Sequence, residues 1–191
     1  MGDYRRAPDA ARVRRPRRGR RGRDNDPLRP RSRRITISAP PVPKGYHTIT
    51  AQLAIEGAAK AIEFYKKAFA AEVLDQAMDP SGHKVWHAAV KIGDSMIFVN
   101  DVFPEMDPSA KQSHSNLWLY VDDTDAWFKR AVEAGAKPSM PPVDMFWGDR
   151  MAHVVDPFGQ KWAIATHTKD LTPEEMKKAE EDFKASMKKA H

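Results

Sequence analysis

Residues 58–70 read AAKAIEFYKKAFA, and residues 125–134 read DAWFKRAVEA. In the first stretch Ala58, Ile62, Tyr65 and Phe69 recur at helical spacing, with Gly57 leading in. The second follows Asp122-Asp123-Thr124, a run that can cap a helix, and Gly135 stops it. Tyr65-Lys66-Lys67-Ala68 of the first returns as Phe128-Lys129-Arg130-Ala131 of the second. Two helices of one pattern point to a duplicated unit around them.

The flanking sequence carries the same duplication. HTITAQLAI (47–55) alternates, with Ile49, Leu53 and Ile55 on one parity and Thr48, Thr50 and Gln52 on the other, which predicts a half-buried strand. After the first helix, EVLDQAM (72–78), KVWHAAVKI (84–92) and DSMIFVN (94–100) read as strands. Pro80-Ser81-Gly82 and Gly93-Asp94 supply the turns between them. A loop rich in Pro, Asp and Ser spans 101–114, and the order restarts. SNLWLYV (115–121), the second helix, then SMPPVDMFW (139–147), RMAHVVD (150–156) and QKWAIAT (160–166) complete the repeat. Gly93 opens the last strand of the first unit, and Gly159, 66 residues on, opens that of the second. The expected fold is α+β, with βαβββ modules at 44–105 and 113–168 of a domain spanning 44–171. Each is too small to close a core alone, so the two must pack together.

Charge is distributed unevenly along the 191 residues. Residues 1–34 hold 14 Arg, no Lys and 4 Asp, a net of +10, whereas 35–191 hold 18 basic and 22 acidic residues, a net of −4. The basic character belongs to the leading segment, which excludes reading the domain itself as a basic nucleic-acid binder. Residues 1–43, which end within the Pro-rich SAPPVPK (38–44), are expected to be a disordered tail and linker, because they cannot bury enough apolar surface to offset chain entropy. Two readings of the tail stand: a polybasic arm that holds nucleic acid or anionic lipid by counterion release, and a solvated extension without a partner.

At the other end, Thr172-Pro173-Glu174-Glu175 opens a C-terminal amphipathic helix over 172–191. Its stripe of Met176, Phe183 and Met187 is expected to dock on its own domain, with a dimer contact as the alternative. There is no cysteine, hence no disulfide, thiolate site or Cys nucleophile. No apolar run suits a membrane helix, and the Arg-rich segment lacks the apolar core of a secretory signal. A cytoplasmic protein without a membrane partner is the expectation.

Two βαβββ modules carrying GYHTIT…AIEFYKKAF, HAAVKIGDSMIFVND, FWGDR and VVDPFGQKWAIAT resemble the vicinal oxygen chelate superfamily, which includes glyoxalase, bleomycin-resistance and extradiol dioxygenase proteins. FWGDR, following a strand and helix, is similar to the PhnB-like branch. The resemblance runs from Lys44 to Pro173. It implies an incomplete barrel with a ligand cleft between the modules, and homodimerisation. The family's activities range from isomerisation to drug sequestration, so the fold does not decide function.

Metal-using members hold a divalent ion with residues on the first and last strand of each module. Carried over one at a time, those positions fall on Thr50, on Ile97 or Phe98, on Asn116 and on Ala163. One hydroxyl and one amide hold a divalent cation poorly without carboxylates, so no metal and no other cofactor is expected. The alternative is a register slip that brings His47 and His114 to the site. His114 shares a face with Asn116, but His47 faces away from Thr50.

Strand parity then assigns the cleft. Thr50, Gln52, Phe98, Asn100, Asn116, Trp118 and Tyr120 are the candidate ligand-binding residues, an aromatic wall with a few amides suited to a small organic molecule. Parity on 84–92 places Trp86, Ala88, Val90 and Ile92 in the core, and His87 on the cleft face as the candidate acid or base. Trp147 and Arg150 of the FWGDR turn are candidates to close over the ligand, with Arg150 gripping an anionic group; the alternative is that Asp149 and Arg150 pair with each other in a turn. Asp101, Glu105 and Asp107 are expected to be solvated. Three functions follow in order: a metal-independent small-molecule binder; an enzyme of lyase, isomerase or dioxygenase type using a metal or His87; and a module tethered to nucleic acid by its tail.

Overall fold

In a computed structural model, residues 39–189 are described, and the expected disorder of the Arg-rich tail lies outside them. The order is β1 (Ala51–Ala54), α1 (Ala58–Phe69), β2 (Glu72–Met78), β3 (Val85–Ile92), β4 (Ser95–Asn100), β5 (Asn116–Tyr120), α2 (Thr124–Glu133), β6 (Lys137–Asp144), β7 (Asp149–Val155), β8 (Lys161–His167) and α3 (Pro173–Lys189). The strands form two four-stranded sheets, ordered β1-β4-β3-β2 and β5-β8-β7-β6. In each, the first strand runs parallel to the last, and the other neighbours are antiparallel. This is the duplicated βαβββ plan, with no closed barrel.

Both modules contribute to one core. The buried face of α1, with Ile62, Tyr65 and Phe69, packs with Leu53, Val90 and Val99 of the first sheet and with Val154, Trp162 and Ile164 of the second. Ring centroids of Tyr65 and Phe69 lie 5.4 and 4.5 Å from that of Trp162. Helix α1 thus buries an apolar stripe that its own sheet alone does not cover.

The helix ends explain why these segments stop where they do. Asp123 caps α2, its side chain accepting from Ala126 N at 3.0 Å, as the Asp-Asp-Thr run predicts. Gly57, at φ 79°, has no side chain to cap α1. Asp101 caps it instead: its carboxylate accepts from Gly57 N (2.9 Å), Ala58 N (3.2 Å) and Val85 N (2.7 Å). The residue expected in solvent is therefore buried at the end of β4. Thr172 and Glu175 cap α3 reciprocally, through bonds of 2.9 and 3.2 Å. Phe183 of α3 then stacks on Phe146 with centroids 5.0 Å apart, which docks the helix on its own domain.

Three expectations about the strands change. β1 begins at Ala51, leaving Ile49 87% exposed. The parallel pairing with β4 begins at Ala51↔Ile97, and the first residues of β4, Ser95 and Met96, pair only with β3. Trp86 is exposed and Val85 buried, because β3 carries one extra residue between the pairs Ala77↔His87 and Met78↔Val85. That bulge reverses the parity and turns Trp86 out against Phe103, at 5.1 Å. Finally, β6 begins at Lys137 and runs through Pro138, Pro141 and Pro142, which an edge strand with register shifts tolerates.

Candidate functional site

Opposite its helix, each sheet has a face whose residues were the sequence candidates, and the structure sorts them into two groups. On the first sheet Gln52, His87, Phe98 and Asn100 come together. Gln52 Nε2 donates to Asn100 Oδ1 at 2.9 Å, and the His87 ring lies 4.8 Å from that of Phe98. Tyr46, ahead of β1, adds a ring 5.6 Å from Phe98. Thr50 precedes β1 and is placed apart from these, its hydroxyl directed at the His47 carbonyl at 3.5 Å.

On the second sheet Asn116, Trp118 and Tyr120 alternate on one exposed face, the two rings 6.0 Å apart. At the end of this face sits Asp149, only 3% exposed. Its Oδ2 accepts from Tyr120 Oη at 3.1 Å and from Trp147 Nε1 at 3.0 Å. Its Oδ1 lies 2.7 Å from His167 Nδ1, and His167 Nε2 lies 3.0 Å from Asp170 Oδ1. Burial pushes the Asp149 carboxyl up, but the bonds from His167, Trp147 and Tyr120 together hold it below the usual carboxylate range. The His167 imidazole, bonded to Asp149 and then Asp170, is pushed above its ordinary value. A carboxylate on each nitrogen favours the imidazolium over what a free imidazole would show, and both nitrogens are engaged.

Arg150 is not part of this face. Strand alternation sends Asp149 to the open side and Arg150 to the helix side, where its guanidinium pairs with Asp125 of α2 and with Asp144 at 2.9 Å. These bonds raise its already high pKa further. Asp149 and Arg150 therefore do not pair with each other, and Arg150 does not reach a ligand on the Tyr120 side. Beneath Trp147, Met151, Ala163 and Ala165 form an apolar floor, joined by Met140 and Met145.

Among the described residues no hydrogen bond or ring contact joins the His87 group to the Tyr120 group. A groove of about 660 Å³ lies beside them, lined by His47, Ile49, Ala51 and Met96 on one side and by Leu117, Trp118 and Tyr120 on the other. His47 reaches this groove and His114 does not. Among the described residues, no three His, Asp or Glu converge as a metal ion would require. The positions carried over from metal-using members, Thr50, Phe98, Asn116 and Ala163, present one hydroxyl and one amide and no carboxylate or imidazole.

Residues 45–164 match the family model described as the glyoxalase/bleomycin resistance protein/dioxygenase superfamily. The chain belongs to this superfamily. Uncharacterised proteins of Mycobacterium bovis and Mycobacterium tuberculosis are 35% identical over 138 residues, covering 69% of this chain and, respectively, 90% and 81% of theirs. Among solved structures, TioX from Micromonospora is similar at a TM-score of 0.53 and 23% identity, covering 62% of this chain and 97% of that one. A family enzyme from Burkholderia phytofirmans is similar at 0.51 and 18% identity, covering 62% and 96%. At such identity the structural likenesses establish fold. No described helix of this superfamily member is long and apolar enough to cross a membrane.

What the sequence reading missed was the Asp149–His167 pair. His167 lies one residue past the expected end of the last strand, and Asp170 lies in the connection to α3. The available signal was parity: Asp149, Met151 and His153 share a face, and β8 pairs Asp149 with His167.

Proposed function

We propose that this superfamily member binds a small organic molecule with a flat apolar part on the open face of the second sheet, and that no metal takes part. The observation that supports it is the double hold of Asp149 on Tyr120 and Trp147. One buried carboxylate takes the polar atoms of both side chains, so their rings are held in place before any ligand arrives. Trp118 extends the aromatic surface, and Met151, Ala163 and Ala165 supply an apolar floor. Protonated His167 adds one positive charge at one edge, between the carboxylates of Asp149 and Asp170, which leaves this edge with one net negative charge. A neutral or weakly cationic planar ligand suits it best.

The test is a thermal-shift screen of planar heteroaromatic compounds on the full chain, followed by titration calorimetry of any hit. Trp118→Ala and Tyr120→Ala should each weaken binding by about tenfold, the usual cost of truncating an aromatic anchor. Elemental analysis of the purified protein should find no stoichiometric divalent metal. A hit whose affinity ignores both variants, or one that binds only with added metal, overturns the reading. If the compound is turned over and His87→Ala abolishes turnover while binding persists, the enzyme reading replaces it.

A further inference from the structure

A second cavity, of about 670 Å³, lies between α3 and the β6–β7 hairpin. Its walls are Met140, Val143, Met145 and Phe146 from the hairpin side, and Ala179 and Phe183 from α3. This volume lies within the range of small-molecule sites. The helix is docked but not sealed. Phe183 stacks on Phe146, yet remains 41% exposed, and Val143 across the groove is 42% exposed. Two methionines and two phenylalanines give a soft, polarisable lining that adapts to ligand shape.

The charge at this cavity has one sign. Its remaining lining residues include Asp144 and Asp182, and no basic residue faces it. Asp144 shares Arg150 with Asp125, so the three side chains carry a net negative charge. Asp182 has no ion pair among the described residues. Asp144 and Asp182 also line the adjoining cavity together with Lys169 and Lys178; Lys169 is paired there with Glu175, so across both cavities one lysine, unpaired among the described residues, stands against the two carboxylates. An apolar body would sit on the methionines and the phenylalanine rings, whose faces also attract cations, while its positive charge would lie toward the two carboxylates. We propose that the groove under α3 is a binding site for hydrophobic organic cations, distinct from the aromatic face built around Asp149, with which it shares only Met140 and Met145.

The proposal is tested on the full chain with two probes of one shape and opposite charge, tetraphenylphosphonium and tetraphenylborate. The chain carries 13C-methyl methionine, so binding is read at each site by NMR. Tetraphenylphosphonium should shift the Met140 and Met145 methyl signals saturably and leave unmoved Met151, in the floor of the aromatic face, and Met96, which lines the other groove. Asp182→Asn should weaken that binding about three- to fivefold, the size expected of one exposed charge. Val143→Lys, which puts an ammonium into an already half-exposed position, should abolish it without unfolding the protein. Equal or tighter borate binding at the same methyls overturns the proposal, as does an affinity indifferent to both variants. So do Met140 and Met145 shifts that appear with rising protein concentration alone, because they assign the groove to a second copy of the chain. A null result in the heteroaromatic screen leaves this measurement unaffected, since the two sites share no variant.

Discussion

Tyr65 of α1 donates a 2.9 Å hydrogen bond to the Asp156 carboxylate, 91 positions away in the other module. Asp156 is 3% exposed and its oxygens are fully used. Oδ1 accepts from Phe158 N and Gln160 N, which shapes the turn between β7 and β8, and Oδ2 accepts from Tyr65 and Trp162. The Asp-Pro-Phe-Gly turn is therefore a joint: it folds one module's hairpin and grips the other module's helix. Burial, and then the adjacent carboxylate, push the Tyr65 hydroxyl far above its ordinary value, which favours its role as the donor.

Tyr65→Phe keeps the ring and removes the donor, leaving Asp156 Oδ2 with Trp162 alone. The loss of a bond to a buried charged acceptor is expected to lower stability by about 1–3 kcal/mol. Urea unfolding should show this as a lower midpoint at unchanged slope. A cost below about 0.5 kcal/mol would mean that the aromatic packing on Trp162, and not the bond, joins the modules.

Asp101→Ala tests the remote cap. It leaves Gly57 N, Ala58 N and Val85 N without their acceptor, two of them at the start of α1. The expected destabilisation is about 2–4 kcal/mol, above that of an ordinary N-cap, because the cap is buried and also holds a strand. Amide hydrogen exchange should speed up first at Gly57 and Ala58. Asp101→Asn should cost less, since its amide oxygen still accepts.

The parts of this architecture that repeat locally were legible in the sequence. Helical spacing of Ile62, Tyr65 and Phe69, alternation at Leu53 and Ile55, and the paired Gly93 and Gly159 are short-range signals, and they carry the two-module plan. What escaped is set by single insertions or distant partners. The extra residue at Trp86 is invisible to a two-residue period, which continues through a bulge as if nothing had happened. Asp101, an acid after a strand and before a loop, looks solvated until α1 arrives with an uncapped Gly57. The site candidates were found as residues, but their division between two sheet faces depends on how the sheets share the helices, which no local pattern encodes.

Gly148→Ala should be far more damaging than alanine at other left-handed glycines. At φ 97° the residue already disfavours a side chain, and a Cβ there would lie 2.1 Å from the Lys169 carbonyl oxygen. The Gly148 carbonyl also accepts from Thr168 N, Lys169 N and the Thr168 hydroxyl. Relieving the clash must pull this strand-end connection away from the hairpin, along with the neighbouring Trp147 and Asp149. Gly82→Ala, at φ 75° with nothing near, should cost about 1 kcal/mol, from backbone conformation alone. Similar losses for both variants would show that the Lys169 approach is not a constraint.

The Asp149–His167 link predicts an alkaline loss of stability. The folded imidazole is held above its unfolded value of about 6.5, so its contribution is complete below that pH and disappears as the pH rises through the raised value. Asp149 acts with the opposite sign. Held low, it contributes above about pH 3.9, its unfolded value, and is lost as the pH falls through its lowered one. The link should therefore be strongest between the two losses, in the weakly acidic range. NMR titration of the imidazole Cε1–H should place the His167 midpoint clearly above about 6.5, and Asp149→Asn should bring it down. In His167→Gln the alkaline fall should flatten, while Tyr120 and Trp147 keep Asp149 partly satisfied and the protein folded. A His167 midpoint at or below the unfolded value would mean that the two carboxylates do not hold the imidazolium at the edge of the aromatic face.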